Sequence, residues 1–387
     1  MESHNYSLKD LIIYFLKRGT WGFGGPVALV EYMHRDLVEN KKWISEEEYR
    51  EGLALAQLAP GPLAAQLGIY IGFVHYRLLG ATLAGLAFVI PSFIMVVLTG
   101  MAYLQYSGLF WIQSVFYGVG ACVVGIIALS AWRLTLKSVG SPDLKDVSKK
   151  WLLWLLYFIA LITTVVTERE EVVIFLASGF LYMLVKAPPA WIKKPAVVPV
   201  FVATSLAGIQ LEENVLWDIA VFFTKAGTFV FGSGLAIVPF LHAGVVNEFG
   251  WLTEHQFLDA VAVAMVTPGP VVITVGFIGY LVAGFPGALI AALAVFLPCY
   301  LFTVILAPSF KRISKNISIR AFVDGITASV IGALAGAVII IGIRTVIDIP
   351  TAAIASLTVL SLIYIKKIKE PALIFISAIA GILIRMI

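Results

Sequence analysis

The chain has 387 residues, of which 60% are hydrophobic and 13% are charged, and its mean hydropathy is +0.97. Soluble domains are only about half apolar, so this composition excludes an ordinary soluble protein and indicates an all-α polytopic membrane protein. The formal net charge of +4 is small, and the basic residues concentrate in loops, so we expect a lipid bilayer around the chain and no nucleic-acid partner.

Several apolar stretches approach the length of about 20 residues that crosses a hydrocarbon core. In chain order these predicted spans are Leu78–Leu98, Ile112–Trp132, Trp151–Thr167, Val172–Val185, Gly287–Ala307, Ile326–Ile343, Ala352–Ile365 and Ala372–Ile384. The N-terminal residues lack the basic start and the small-residue cleavage site of a signal peptide. Cys122 and Cys299 lie in separate apolar stretches without metal-ligand spacing, so we expect buried small residues, no metal and no cofactor.

The sequence contains an internal duplication. Residues 15–68 align without a gap on 223–276 at a shift of 208, and 18 of these 54 positions are identical. After one deletion the match continues at a shift of 207, for example from Pro91 to Pro298. We therefore predict a first repeat at 1–186, a linker with an interfacial helix at 187–213, and a second repeat at 214–387.

Each repeat contains a Pro-Gly-Pro motif inside an apolar stretch, at 60–62 and at 268–270. Proline removes a backbone donor, so each motif predicts a broken helix. Ser45 with Glu48, and Thr253 with Gln256, have capping-box spacing and predict the start of the helix before each motif. At about 14–15 residues each, the two pieces predict a hairpin that turns back at membrane depth.

Loop charge predicts opposite orientations for the two repeats. Residues 33–52 carry four basic residues, whereas the equivalent 241–260 carry none, and residues 103–111 carry none, whereas the region at 311–320 is basic. Basic loops stay in the cytoplasm, so we predict two inverted repeats, each with about five transmembrane helices and one broken hairpin. This count places the N-terminus outside and gives the single crossing between 194 and 241 to the 215–240 helix, although residues 197–209 could make it instead.

Inverted repeats with broken helices are typical of secondary transporters, whose half-helix N-termini bind anions. A glycine cluster preceded by a lysine leads each repeat, as KRGTWGFGGP at 17–26 and KAGTFVFGSG at 225–234. We predict a substrate site formed by Lys17, Thr20, Gly24, Gly25, Pro60, Gly61, Pro62, Gln66, Lys225, Thr228, Gly232, Ser233, Pro268, Gly269, Pro270 and Thr274. The alternatives are that the prolines only kink helices, that the glycines only allow close packing, and that the lysines reach the interface.

The motifs resemble those of the chromate ion transporter family. The resemblance rests on FGGPVALVEYMHRDLVENKKWISEEEY, on LAQLAPGPLAAQLGIYIG and on GLAFVIPSFIM, and it covers the whole chain as two tandem family domains. It implies a prokaryotic transporter of the cytoplasmic membrane that exports chromate and confers chromate resistance. Ser233 and Gly234 replace Gly25 and Pro26, so we do not expect the two repeats to contribute identically to the site.

The remaining polar residues leave several alternatives open. Glu31, Glu51 and Asp259 are candidates for proton coupling, although a solvated helix entrance is the favoured explanation of the last two. Gln57 and Gln66 could donate hydrogen bonds to an oxyanion, and we expect His34 and His242 at the interface.

The alternative substrate is sulfate or another oxyanion, carried by a transporter or channel. A membrane-embedded enzyme is not expected, because no catalytic constellation lies in the apolar stretches. The sequence leaves oligomeric state open, with a homodimer as one option.

Overall fold

The computed structural model describes residues 6–23, 25–106, 108–168, 172–189, 214–229, 237–310, 316–365, 368 and 370–386. These residues form helices and no strand, and four of the helices are long and apolar enough to cross a membrane. All eight predicted spans fall on helices. The interfacial helix predicted at 197–209 lies outside the described residues.

The helices are α1 Leu8–Trp21, α2 Gly25–Met33, α3 Glu46–Leu58, α4 Leu63–Tyr106, α5 Phe110–Ser138, α6 Leu144–Lys149, α7 Trp151–Thr167, α8 Val172–Lys186, α9 Val215–Phe229, α10 Val238–His242, α11 Glu254–Val266, α12 Thr274–Leu306, α13 Ile317–Thr345, α14 Ile349–Tyr364 and α15 Glu370–Met386. Short π-helical turns extend α2 over His34–Asn40 and α10 over Ala243–Glu248, and a 3-10 turn at Val271–Ile273 precedes α12.

Helices α1 and α2 form a hairpin rather than one crossing. Tyr6, before α1, stacks on Trp43, which follows α2, with ring centroids 4.7 Å apart. An ion pair between Arg18 on α1 and Asp36 after α2 joins the two arms. The chain therefore enters and returns at the same end of the molecule, so the predicted N-terminus outside, on the face opposite the 33–52 loop, is wrong.

Helices α3 and α4 flank the first Pro-Gly-Pro motif. Both capping boxes form as predicted, at Ser45 before α3 and at Thr253 before α11. Helix α4 is interrupted at Arg77, where φ is 51° and ψ is −141°, so it consists of a short segment and a long one. The Glu48 carboxylate lies 3.1 Å from Nε2 of His75, and Nδ1 of His75 lies 2.5 Å from the Tyr6 hydroxyl, so both ends of the hairpin lie at the same end of the molecule as Tyr6.

Small residues set the angle between the two segments of α4. A Cβ on Gly72 would lie 2.3 Å from the Gly80 carbonyl oxygen, so any larger residue would separate the segments. Helix α12 is interrupted in the same way at Ala283 and Gly284, beside an equally close approach of Gly279 to Gly287. Both halves of the chain thus fold a short segment back against a long one.

The later helices of each half pack on the other half. Helix α5 packs against α14 and α15, and α13 packs against α7 and α8. Close backbone contacts allow this: a Cβ on Gly118 would lie 2.0 Å from the Ser377 carbonyl oxygen, and one on Gly332 would lie 2.1 Å from that of Tyr157. Because membrane helices gain little from hydrophobic burial in lipid, such contacts between small residues hold the halves together.

Contacts sort the loops onto two ends of the helical bundle. We call the end that holds Tyr6, Trp43 and His75 the basic end. Arg133, near the end of α5, donates to the Leu362 carbonyl oxygen at 3.1 Å. At the opposite end, which we call the distal end, Arg344 pairs with Glu168.

The 215–240 region does not form the predicted single crossing. Phe222 on α9 stacks on Phe240 of α10, with ring centroids 5.3 Å apart. Asp218, near the start of α9, lines the same cavity of about 420 Å³ as Glu248, which ends the return. Helix α9 and the 238–248 segment therefore lie side by side, as α1 and α2 do.

Candidate functional site

The two Pro-Gly-Pro turns are buried in the interior of the bundle. Gly61 has a φ of +140° and Gly269 a φ of +100°, in the region that L side chains rarely adopt, which explains why each turn is built on glycine. Residues 61–70, which contain the second half of the first turn and the start of α4, are all buried, as are residues 268–279 around the second turn.

Each turn is seated on a long helix of the other half. A Cβ on Gly61 would lie 3.0 Å from Cβ of Cys299 on α12, and a Cβ on Gly269 would lie 1.9 Å from Oγ of Ser92 on α4. Cys299 and Ser92 are equivalent positions of the duplication, each following a repeated proline. Both cysteines are buried, as predicted.

The second turn also contacts the end of α1. The Gly269 amide donates to the Gly22 carbonyl oxygen at 3.0 Å, and the Ser92 hydroxyl donates to the Gly19 carbonyl oxygen at 3.3 Å. The glycine cluster after Lys17 is therefore in contact with the Pro-Gly-Pro turn of the second half. The sequence predicted that both belong to one site, but not that the cluster of one repeat contacts the turn of the other.

Backbone donors are available at the start of α4. The first three or four amides of a helix have no acceptor inside that helix, and they carry the positive end of its dipole. Pro60 and Pro62 contribute no N–H, so the donors of the first turn of α4 begin with Leu63. A buried helix start of this kind can bind an anion.

Gln66 lies in the first turns of α4 and is fully buried. Its Nε2 donates to the Pro60 carbonyl oxygen at 2.7 Å, so one of its amide donors closes the turn. Its Oε1 has no hydrogen-bond partner in the part of the chain that the structure describes. In the second half Thr274 donates its hydroxyl to the Val271 carbonyl oxygen at 2.7 Å, so the two halves present different chemistry at the site.

The predicted lysines lie on exposed helix faces. Lys17 and Lys225 are exposed on α1 and α9, and Lys225 lines the cavity of about 420 Å³ with Asp218 and Glu248. Gly25 begins α2, whereas Gly24, Gly232 and Ser233 lie outside the described residues.

The predicted threonines bond to their own helices. The hydroxyls of Thr20 and Thr228 donate to the carbonyl oxygens of Leu16 and Thr224, four residues back, each at 2.8 Å. Each hydroxyl proton is therefore used within its own helix and is not donated to the Pro-Gly-Pro turns.

The three candidate proton-coupling carboxylates have different surroundings. Glu31 is exposed on α2 and Glu51 is half-buried on α3. Asp259 on α11 is buried and accepts a hydrogen bond of 2.6 Å from the Tyr103 hydroxyl, and it lines a cavity with Thr253 and Gln256, the capping residues at the start of that helix. Asp259 and Tyr103 both line this cavity, which has a volume of about 550 Å³ and lies at the distal end. Its other lining residues include Gln113, Thr253, Gln256 and Arg385.

An ionic cluster at the distal end was not predicted. His242 and Glu254 lie 2.8 Å apart, and Arg344 donates to Glu254 at 3.2 Å and also pairs with Glu168. At the basic end His34 and Glu46 repeat the first contact at 2.8 Å. The repeated histidines and glutamates were the signal in the sequence for the His–Glu pairs. The pairing of Glu168 with Arg344 had no such signal, because the two residues lie far apart in the chain.

The comparisons with known proteins identify the family. The Chromate transporter family model matches residues 9–183 and, again, 217–382. The chain belongs to the chromate transporter family. It is a multi-pass membrane transporter by family and by its apolar helices, not an enzyme.

Relatives match both the whole chain and its halves. A chromate transport protein of Cupriavidus metallidurans is 58% identical over 97% of this chain and 93% of its own length. A probable chromate transport protein of Synechococcus elongatus is 57% identical over 98% of this chain and 96% of its own. The uncharacterized transporter YwrB of Bacillus subtilis is 28% identical over 48% of this chain and 92% of its own. No solved structure matches.

Proposed function

We propose that this protein is a secondary transporter that exports chromate across the cytoplasmic membrane of a prokaryote and thereby confers chromate resistance. The observation that carries the proposal is the burial of each Pro-Gly-Pro turn against a long helix of the other half, at Ser92 and Cys299. The names of the similar proteins, chromate transport proteins, support the substrate.

The proposed site lies between the halves, at the helix starts that follow Pro62 and Pro270. Chromate is a tetrahedral dianion, and backbone amides at a helix start are a common site for such oxyanions. A buried site of this kind holds the anion away from water, where each charge-assisted hydrogen bond is stronger. In this proposal Lys17 and Lys225, with the glycine clusters that follow them, attract the anion towards the turns.

We propose that the two halves, 1–186 and 214–387, lie in the membrane upside-down relative to each other. The basic end carries the loops rich in lysine and arginine, which supports a cytoplasmic position for it. With two hairpins that return to their own face, the first half then crosses the membrane four times, through the long segment of α4, α5, α7 and α8.

The membrane potential supplies a driving force for export. A negative charge that leaves an inside-negative cell gains about 2.3 kcal/mol per 100 mV, so export of an oxyanion is favoured by that amount for each charge it carries. No phosphate-binding loop for ATP is present in the sequence, which supports a secondary mechanism.

The test is chromate uptake into inside-out membrane vesicles under an imposed potential, with sulfate as competitor. We expect potential-dependent chromate accumulation that vesicles without the protein lack. Sulfate uptake without chromate movement would transfer the same architecture to the alternative substrate, and movement of neither anion would contradict the proposal.

A further inference from the structure

We propose that the site at the first Pro-Gly-Pro turn takes its oxyanion in protonated form, as hydrogen chromate, and that Gln66 accepts the proton-bearing hydrogen bond. The inference rests on the proposed function, because it concerns the anion that this site would bind. It names the form of the substrate and gives a physical basis for rejecting sulfate.

The position of the Gln66 carboxamide is fixed by the turn. Its Nε2 lies 2.7 Å from the Pro60 carbonyl oxygen, and a Cβ on Gly61 would lie 2.8 Å from Nε2 and 2.9 Å from Cδ. Because the Pro60 carbonyl oxygen can only accept a hydrogen bond, its partner must be the amide NH2 group of Gln66, and the other amide atom is therefore the oxygen. The group thus lies against the turn at the buried start of α4.

The oxygen Oε1 is an acceptor left over in this place. It has no partner among the described residues, although Gln66 has no exposed surface. A buried acceptor without a donor costs free energy. A ligand that donates a hydrogen bond to Oε1 removes this cost and therefore binds more tightly than a ligand that has only acceptors. A ligand at the start of α4 would therefore bind best if it presented acceptors to the helix amides and one donor to Oε1.

Hydrogen chromate has both kinds of group, whereas a fully ionised oxyanion has only acceptors. Chromate takes up a proton near neutral pH, while sulfate and selenate do so only in strong acid. With a sulfate or selenate dianion, an anion oxygen would face Oε1 without a hydrogen between them. Selenate is also a tetrahedral dianion larger than sulfate, so it separates selection by protonation from selection by size.

The experiment measures competition with chromate uptake in inside-out vesicles at neutral pH. For the wild type we expect selenate and sulfate to be similarly weak competitors, and chromate uptake at constant total chromate to rise as the pH falls through neutrality. Gln66→Met removes the acceptor at nearly constant volume and should weaken discrimination against selenate by at least about tenfold. The matched control is Gln105→Met, which changes an exposed glutamine at the far end of α4.

Three results would overturn the inference while leaving chromate transport intact. One is selenate competing as well as chromate in the wild type, another is uptake that follows the chromate dianion as pH rises, and the third is uptake that requires sodium and ignores pH, which would assign Oε1 to a cation. If Gln66→Met does not reach the membrane, the wild-type pH and selenate measurements decide. Absence of all chromate uptake would instead contradict the proposed function.

Discussion

Substitution of Gly269 by alanine tests the contact between the second turn and the first half. The new Cβ would lie 1.9 Å from Oγ of Ser92, at a φ of +100°. Backbone strain of about 1–2 kcal/mol and overpacking of about 1–3 kcal/mol should together lower the free energy of unfolding by about 2–5 kcal/mol. Gly284 is the matched control for strain alone, because its φ is +61° and nothing lies within 4 Å of its Cβ position.

The assay is the thermal unfolding midpoint of the purified protein in detergent, read beside chromate uptake in vesicles. Gly269→Ala should have a lower midpoint than Gly284→Ala, and Gly108→Ala, with open space and no positive φ, should match the wild type. Adding Ser92→Ala should restore part of the free energy of unfolding that Gly269→Ala loses. The coupling free energy between the two substitutions should be about 1–3 kcal/mol. Equal midpoints for Gly269→Ala and Gly284→Ala, or strictly additive effects of the double variant, would refute the contact.

Three further predictions address the charged groups. Lys225→Ala should lower chromate uptake while Lys9→Ala, another exposed lysine, leaves it unchanged, and equal uptake by the two variants would remove Lys225 from the anion path. Asp259→Asn should abolish uptake driven by a pH gradient but retain chromate exchange at equal pH, since asparagine carries no titratable proton, and full gradient-driven uptake would end its candidacy for proton coupling. Burial alone raises the pKa of Glu254, but the hydrogen bonds and charges of His242 and Arg344 lower this pKa by more. The ionised Glu254 therefore stabilises the folded protein above the ordinary glutamate pKa, and this stabilisation is lost as the pH falls through the lowered pKa. The unfolding midpoint of Arg344→Ala should therefore approach that of the wild type on acidification, and a gap that does not change with pH would show that Arg344 stabilises by packing alone.

The parts of the fold that depend on local chemistry were predictable. Proline and glycine fixed the turns at 60–62 and 268–270, and the capping boxes at Ser45 and Thr253 fixed the helices before them. Span positions followed from length and hydropathy, because each crossing helix must satisfy its own backbone.

The hairpin of α1 and α2 could not be read in the same way. Residues 11–33 are largely apolar on either side of Lys17 and Arg18, and the first helix ends before Gly22, a residue that by itself is compatible with an unbroken membrane helix. Its evidence is the stacking of Tyr6 on Trp43, a contact between residues on different elements.

The candidate site was only partly predictable for a related reason. The motifs named the turns and Gln66, but which half each turn contacts depends on packing between distant residues, such as Ser92 with Gly269. Likewise the partner of Asp259 is Tyr103, which lies 156 positions earlier in the chain. Aligning the two repeats shows which residues are equivalent, but it does not show which residues are in contact.

The most direct test of the account is a structure of the protein determined with chromate bound. The account predicts chromate density within hydrogen-bond distance of the first amides of α4, beside Gln66, in the interior between the two halves. Density confined to the exposed lysines Lys17 and Lys225, or to the distal cavity beside Arg385, would contradict the assignment of the site to the Pro-Gly-Pro turns.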